Sequence, residues 1–298
     1  MRLAGHTLGT PGHTIAQAII LFAESGLDAA ELIYQDNYVS ALPLGDLAAA
    51  RAARAVGDSE GIAIIGLAPY FTSINSLDDH DWRDGVDQFR AAIGVAHEAG
   101  ASRVRVYSGS WHPGDADYDA HRARLVDALA TLAPEAASAG VLLCVENHFG
   151  TMTRTAKQTA RLVREIGHPA VRVLYDQANL TFTHDEDSEA ALSVQGDLIG
   201  HVHVKDLVFK DPEKPFQATE TARVKAEERN VESRVVGEGI VPWEKIVPAL
   251  VRGGYDDVLS VEYEYRWHPQ DLPEPGIGFR QSADTLRRIL GSGLGEES

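Results

Sequence analysis

The sequence predicts an α/β protein, a single (β/α)8 barrel, and three observations carry that prediction. Eight short β-rich runs alternate with helical runs along 298 residues. GTPGHT, after the first run, lacks the GxGxxG spacing that a doubly wound dinucleotide-binding fold would place there. Four consecutive strands, the fifth to the eighth, each bring an ionisable side chain to one face near their C-terminal ends, where a barrel keeps its reactive groups.

In chain order the strands are LAGHTLG (3–9), DAAELIY (28–34), IAIIGLAPY (62–70), SRVRVYSG (102–109), VLLCVENH (141–148), VRVLYDQ (171–177), IGHVHVKD (199–206) and VLSVEYEY (258–265). The helical runs are 14–26, 46–61, 78–100, 118–140, 155–167, a short 188–196, 241–254 and 281–293. Many close on glycine, at Gly26, Gly100, Gly140, Gly167 and Gly253, the usual helix stop before a turn into a strand. Residues 1–298 read as one domain. The two longest connections without a clear helix, 207–239 and 266–280, follow the last two strands and are expected to cover a substrate.

Composition narrows the function classes. A hydrophobic content of 44% lets a chain of this length bury a large core. Asp and Glu number 44 against 27 Lys and Arg, and the formal charge of −17 repels nucleic acid and anionic bilayers. No apolar run reaches the length of a membrane span. The single cysteine, Cys144, rules out an intrachain disulfide, and MRLAGHTLGT has no apolar signal core, so the expected location is the reducing cytoplasm.

Side chains two apart along a strand share a face. Val141, Leu143 and Val145 therefore face the helices, and Leu142, Cys144, Glu146 and His148 face the barrel interior. By the same alternation Asp176 faces in, as do His201, His203 and Lys205, and Ser260, Glu262 and Glu264. One residue per strand gives the set Glu146, Asp176, His203 and Glu262. Three inward carboxylates and a histidine at one level need a compensating positive charge, which a divalent cation supplies. Oxygen-rich ligation with one imidazole suits Mn2+, Mg2+ or Co2+ better than a structural zinc. Simpler roles fit other inward residues: Glu31 with Arg105 as a buried ion pair, His201 as a hydrogen-bonded core histidine, Glu264 as a carboxylate at a loop base, and Cys144 as a packed thiol.

The segments VENHFGTMTRTAKQTARLV, VLYDQANL, IGHVHVKD, VGEGIVPWEKIVPAL and GYDDVLSVEYEY, in that order, resemble the xylose-isomerase-like barrels grouped as sugar phosphate isomerases/epimerases. The resemblance covers essentially the whole barrel and is strongest over 141–290. It implies one divalent metal held by Glu146, Asp176, His203 and Glu262, the set already reached from alternation. Related ketose epimerases carry a substrate-binding histidine three residues after the strand-six Asp. Asn179 stands there in this chain, so their substrate preference does not transfer.

The expected activity is enolisation of a sugar or keto-sugar by a cation that polarises a carbonyl, most simply in an isomerase or epimerase, with Mn2+ the first expectation. Glu146, Glu262 and His148 are the candidates for proton transfer. A lyase or dehydratase, including C-glycoside cleavage with His148 as acid or base, is the alternative, and a sugar-binding barrel without catalysis is a third. His6, Trp111, His112, Asn179, Lys205, Arg223 and Arg266 are the candidate substrate contacts at predicted rim positions. VGEGIVPW matches a phosphate-binding turn only weakly, which favours a neutral sugar. A homo-oligomer or a partner subunit is compatible with the sequence.

Overall fold

Eight parallel strands close on themselves because the first pairs with both the second and the last. The computed structural model describes residues 1–112, 114–184, 186–214 and 229–293. The barrel strands, in order around it, are β1 (Arg2–His6), β2 (Ala29–Tyr34), β4 (Ala63–Pro69), β5 (Arg103–Val106), β6 (Leu142–Glu146), β7 (Val171–Asp176), β8 (Ile199–Val204) and β11 (Val258–Val261). β1 meets β11 on one side and β2 on the other, which makes a single-domain (β/α)8 barrel. Every strand expected from the sequence is present and shorter than expected, although β1 begins one residue earlier, at Arg2.

The surrounding helices are α1 (Ile15–Glu24), α2 (Leu47–Glu60), α3 (Asp79–Ala99), α4 (Tyr118–Ser138), α5 (Ala156–Ile166), α7 (Ser188–Gln195), α8 (Trp243–Arg252) and α9 (Pro275–Gly293). Their starts are encoded locally. Thr14 with Gln17 and Thr155 with Gln158 form capping boxes, and Asp46, Asp78 and Asp187 accept hydrogen bonds from first-turn amides. Gly100 and Gly167 end their helices in the left-handed conformation, as expected. Gly253 does not: its φ is −75°, and Gly254 at +85° takes the left-handed position. Among the described residues no helix is long and apolar enough to cross a membrane.

The outward strand residues, Val145, Val173, Val202 and Val261 among them, join the helices in one apolar core. Each fully buried side chain of that kind contributes about 1.5–3 kcal/mol. Inside the barrel Ala4, Ala29, Ile65 and Val258 form an apolar layer of their own. Above it the interior becomes polar.

Four local features depart from the expected pattern. A short α6 (Gln177–Phe182) starts directly after β7, β3 (Ala41–Leu42) extends the sheet beside β2, and β9 (Asp206–Phe209) pairs antiparallel with β10 (Val231–Arg234). The stretch 207–239 is therefore partly a hairpin rather than an open loop, and its residues 215–228 lie outside the described residues. The connection expected over 266–280 is also shorter, because α9 begins at Pro275. Gly276 and Gly278 disguise that start. Gly278 is required there, since a Cβ would lie 2.0 Å from the Tyr263 hydroxyl oxygen.

Candidate active site

The ends of four neighbouring strands bring the predicted quartet together. β6 ends on Glu146, β7 on Asp176, β8 carries His203 beside Asp176, and Glu262 follows β11. A ligand atom from each of the four lies within 4.8 Å of the others, and all four residues are buried.

His203 is aimed from below. Its Nε2 lies 3.1–3.2 Å from both oxygens of Glu31, which also accepts hydrogen bonds from His201 Nε2 at 2.8 Å and Ser260 Oγ at 2.6 Å. A carboxylate only accepts, so the ring nitrogen facing it carries the proton. Nδ1 then points at Glu146 Oε1, 3.7 Å away, and Glu262 Oε2, 3.5 Å away, and makes no hydrogen bond. Asp176 divides its carboxylate similarly. Oδ1 caps α6 through the Asn179 amide at 3.0 Å, while Oδ2 is buried without a hydrogen bond, 3.0 Å from Lys205 Nζ.

Glu31 does not pair with Arg105, contrary to the expectation from sequence. Arg105 is in register with Cys144 on β6, so its long side chain reaches Glu146, two residues further up on the same face. Arg105 Nε donates to Glu146 Oε2 at 2.7 Å, a second contact comes from its terminal nitrogen, and Asn179 Nδ2 donates to Glu146 Oε1 at 3.2 Å. Lys205 bridges Glu262 at 2.8 Å and Asp176. His201, as expected, is a hydrogen-bonded interior histidine.

Among the described residues around this cluster, four buried carboxylates, Glu31, Glu146, Asp176 and Glu262, face two buried cations, Arg105 and Lys205. The excess of two negative charges is what one divalent cation would balance. In the metal-free chain the shortfall appears as proton uptake. Burial pushes the Asp176 carboxyl up to about 6, against the pull of Lys205. Burial lowers His203, but Glu31 and Glu262 outweigh it and hold its imidazole well above the usual value. Burial would raise Glu146, yet Arg105 and His203 bring it down to about 2. The two carboxyls diverge because Arg105 is aligned in two contacts on Glu146, whereas no hydrogen bond reaches Asp176 Oδ2. His203 Nδ1, which makes no hydrogen bond, and Asp176 Oδ2, paired only with the Lys205 ammonium, are oxygen and imidazole ligand atoms that fit a hard or borderline divalent cation.

A cavity of about 580 Å3 opens above the quartet, and Lys205, Asn179, His148 and Arg105 reach its wall. His148 Nδ1 accepts from the Gly150 amide at 3.1 Å, so the neutral ring carries its proton on Nε2. Burial pushes this imidazole down to about 4, with Glu146 opposing, which keeps it neutral near pH 7. Tyr70, Tyr107, Phe149, Phe182 and Trp267 also line the cavity and were not foreseen. Arg105 was within reach of sequence reasoning, since SRVRVYSG alternates two arginines onto the inner face, but its partner was not.

Four of the other expected contacts, His6, His112, Arg266 and Trp111, do not line this cavity. His6 is buried beneath it, its Nδ1 accepting from the Leu8 amide and its ring edge-on to His203. His112 is exposed and turned to Asp115. Arg266 stacks its guanidinium on Tyr38, 3.6 Å from the ring centre. Trp111 borders a separate hollow, and Arg223 lies outside the described residues. The glycine turn of VGEGIVPW is not open to phosphate, because the amides of Gly237, Gly239 and Val241 donate to the Asp206 carboxylate at 2.9–3.1 Å.

Residues 19–289 match the family described as xylose isomerase-like TIM barrel. An inosose dehydratase of Geobacillus thermodenitrificans (strain NG80-2) is 30% identical over 140 residues, 47% of this chain and 46% of that protein, so the match spans about half the length of this curated relative. The IOLI protein with a bound zinc atom superposes with a TM-score of 0.77 at 17% identity, covering 99% of this chain and 100% of the other. A D-psicose 3-epimerase solved in the presence of D-fructose gives 0.74 at 18% identity, with 98% and 100% covered. At these identities the two structures are alike in fold.

Proposed function

Because the chain belongs to the xylose isomerase-like TIM barrel family, we propose that it is a divalent-metal-dependent isomerase or epimerase that enolises a neutral sugar or keto-sugar. Glu146, Asp176, His203 and Glu262 would hold one divalent cation, Mn2+ first and Mg2+ or Co2+ as alternatives. When bound, that cation supplies Lewis-acid polarisation of a substrate carbonyl and so acidifies the neighbouring C–H. The carrying observation is the cluster's excess of two carboxylates over cations, with His203 Nδ1 and Asp176 Oδ2 both left without hydrogen bonds.

In this reading Glu146 and Glu262 take the C–H proton and return it. Return to the opposite face of the same carbon gives an epimer, and return to the adjacent carbon an aldose–ketose isomer. Arg105 holds Glu146 ionised and oriented. His148 donates its Nε2 proton as a hydrogen bond to a substrate oxygen, since the Gly150 amide occupies Nδ1. Asn179 and Lys205 contact hydroxyls from the cavity wall. The loops that flank β8 and β11 shield the site, and the occupied amides around Asp206 favour a substrate without phosphate.

A dehydratase is the second reading, favoured by the named activity of the Geobacillus relative. The same enolate would then expel a β-hydroxyl as water, the leaving oxygen taking up the proton that Glu146 or Glu262 removed from carbon while His148 Nε2–H donates a hydrogen bond to it. Incubation with a panel of ketoses and inososes in D2O, followed by NMR, separates the readings. Metal-dependent deuterium incorporation with epimerisation or isomerisation supports the first, and incorporation with elimination the second. A bound sugar with no exchange would overturn both and leave a sugar-binding barrel.

A further inference from the structure

The Lys205 ammonium sits on two oxygens of the quartet. Its Nζ lies 2.8 Å from Glu262 Oε2 and 3.0 Å from Asp176 Oδ2. These are the atoms a cation needs. Asp176 Oδ1 is committed to the Asn179 amide at the start of α6, which leaves Oδ2, and Glu262 Oε2 is the oxygen that faces His203 Nδ1, 3.5 Å away. A divalent ion on these oxygens would stand next to a fixed positive charge in a buried site, where like charges repel strongly.

An ammonium that faces Asp176, Glu262 and Glu264 keeps its proton, so the lysine can yield only by moving. Its backbone is fixed. The Trp243 indole donates to the Lys205 carbonyl at 3.1 Å, and the carboxylate of the next residue, Asp206, is tied to the amides of Gly237, Gly239 and Val241. The side chain is a flexible four-carbon stem. Glu264 Oε1 lies 3.8 Å from Nζ, beyond a charged hydrogen bond, and a shift of roughly 1 Å brings the pair to the ordinary ~2.8 Å.

Glu264 is placed to receive it. It opens a short 3-10 turn after β11 (Glu264–Arg266), and its Oε2 accepts from Ser233 Oγ on β10 at 3.1 Å. Ser233 is itself anchored, its amide donating to Asp271 Oδ2 at 3.1 Å. With Oε2 engaged, Oε1 is the oxygen turned to the lysine. Lys205 and Glu264 both line the main cavity, and the Glu264 side chain is 17% exposed, whereas Asp176 and Glu262 are buried. A move from Asp176 and Glu262 to Glu264 therefore carries the ammonium from the interior to the cavity wall.

We propose that Lys205 is a displaceable counter-ion: it neutralises Asp176 and Glu262 in the metal-free site and moves onto Glu264, a positioning residue, when a divalent cation takes their oxygens. This rests on the metal-binding reading above. It also sets an order, since the ammonium reaches the cavity wall, where a sugar meets it, only once the metal is in place. The test is Mn2+ calorimetry on the metal-stripped protein and its Lys205→Met, Glu264→Gln and double variants, beside crystal structures of the metal-free and Mn2+-loaded protein. Lys205→Met is expected to tighten Mn2+ binding by at least about tenfold, because no ammonium has to leave. Glu264→Gln should weaken it about tenfold, and that loss should vanish in the Lys205→Met background, as for two groups that act through each other. In the loaded crystals Nζ should lie within hydrogen-bond distance of Glu264 Oε1 and off Asp176 Oδ2. If Lys205→Met does not fold, the loaded structure and Glu264→Gln decide: Nζ on Glu264 together with a weaker Glu264→Gln site supports the exchange. Unchanged or weaker binding in a folded Lys205→Met would show that the ammonium orients the ligands instead of competing with the metal. That result, no loss in Glu264→Gln, a loss that persists in the double variant, or Nζ still on Asp176 Oδ2 beside bound Mn2+ would each overturn the exchange and leave the metal reading standing. If the unsubstituted protein binds no Mn2+, the metal reading fails and the exchange fails with it.

Discussion

His203 gives its Nε2 to Glu31 at 3.1 Å, and that one contact decides which of its nitrogens faces the carboxylate cluster. Glu31 is in turn held by His201 and Ser260, so the ring orientation is fixed by three interior residues that never reach the cavity. Carboxylates in this position behind a metal-binding histidine set its tautomer and basicity, and losing one costs about 10–100-fold in metal affinity. Glu31→Gln is expected to weaken Mn2+ binding by that amount in calorimetry while circular dichroism still shows a folded barrel. Unchanged affinity would separate Glu31 from the metal.

Acid should release the metal. With its carboxyl pushed up to about 6, Asp176 takes up a proton as the pH falls through that value, and the raised His203 is already protonated in the metal-free chain. Both protons must leave for these residues to act as ligands. Mn2+ affinity should therefore fall about tenfold or more per pH unit below 6. For the metal-free fold the sign is the reverse. Its Asp176 binds protons more tightly than the unfolded chain between the ordinary value of 3.8 and about 6, so stability from this group is lost as pH rises through that window. Urea titrations at pH 5 and 7, with and without Mn2+, check both signs.

Arg105 and Glu146 form a buried ion pair whose side chains are 2% and 1% exposed. Removing one partner leaves the other charge without compensation. Arg105→Met should destabilise the metal-free protein by about 3–5 kcal/mol, measured by urea denaturation. Bound Mn2+ should recover part of the loss, because it compensates the same carboxylate. A cost below about 1 kcal/mol, of the size seen for surface pairs, would show that Glu146 does not depend on this arginine.

For His148 the expected loss is modest. Its Nδ1 is occupied by the Gly150 amide, and burial holds its pKa down to about 4. A group that donates one hydrogen bond to substrate matters less than a general base, whose removal costs roughly 10²–10⁴-fold. His148→Ala should raise KM and lower proton exchange by less than ~100-fold, with metal content unchanged. A larger loss in kcat alone would assign His148 a proton-transfer role and favour elimination.

The quartet was legible because strand alternation is a property of the local sequence: in IGHVHVKD the period of two puts His203 inside whatever the rest of the chain does. The partners of the interior charges were not, since Glu31 meets His201 and His203 across the barrel, 170 and 172 residues away. Alternation gives a side chain's face but neither its height nor its reach. That is why His6, inward and at a strand end, lies beneath the cavity rather than in it. Helix α6 was hidden by its six-residue length, although Asp176 ahead of Asn179 is a capping signal in plain sight. The cavity wall comes from loop aromatics such as Phe149 and Trp267, which no periodicity constrains.

Calorimetric titration of Mn2+ into metal-stripped protein, beside its Asp176→Asn, His203→Gln and His201→Gln variants, tests the central claim most directly. The account predicts one site in the unsubstituted protein, binding abolished or weakened by at least about 100-fold in Asp176→Asn and His203→Gln, and a full single site in a less stable His201→Gln. No saturable binding to the unsubstituted protein, or a site lost in His201→Gln and retained in His203→Gln, would contradict it.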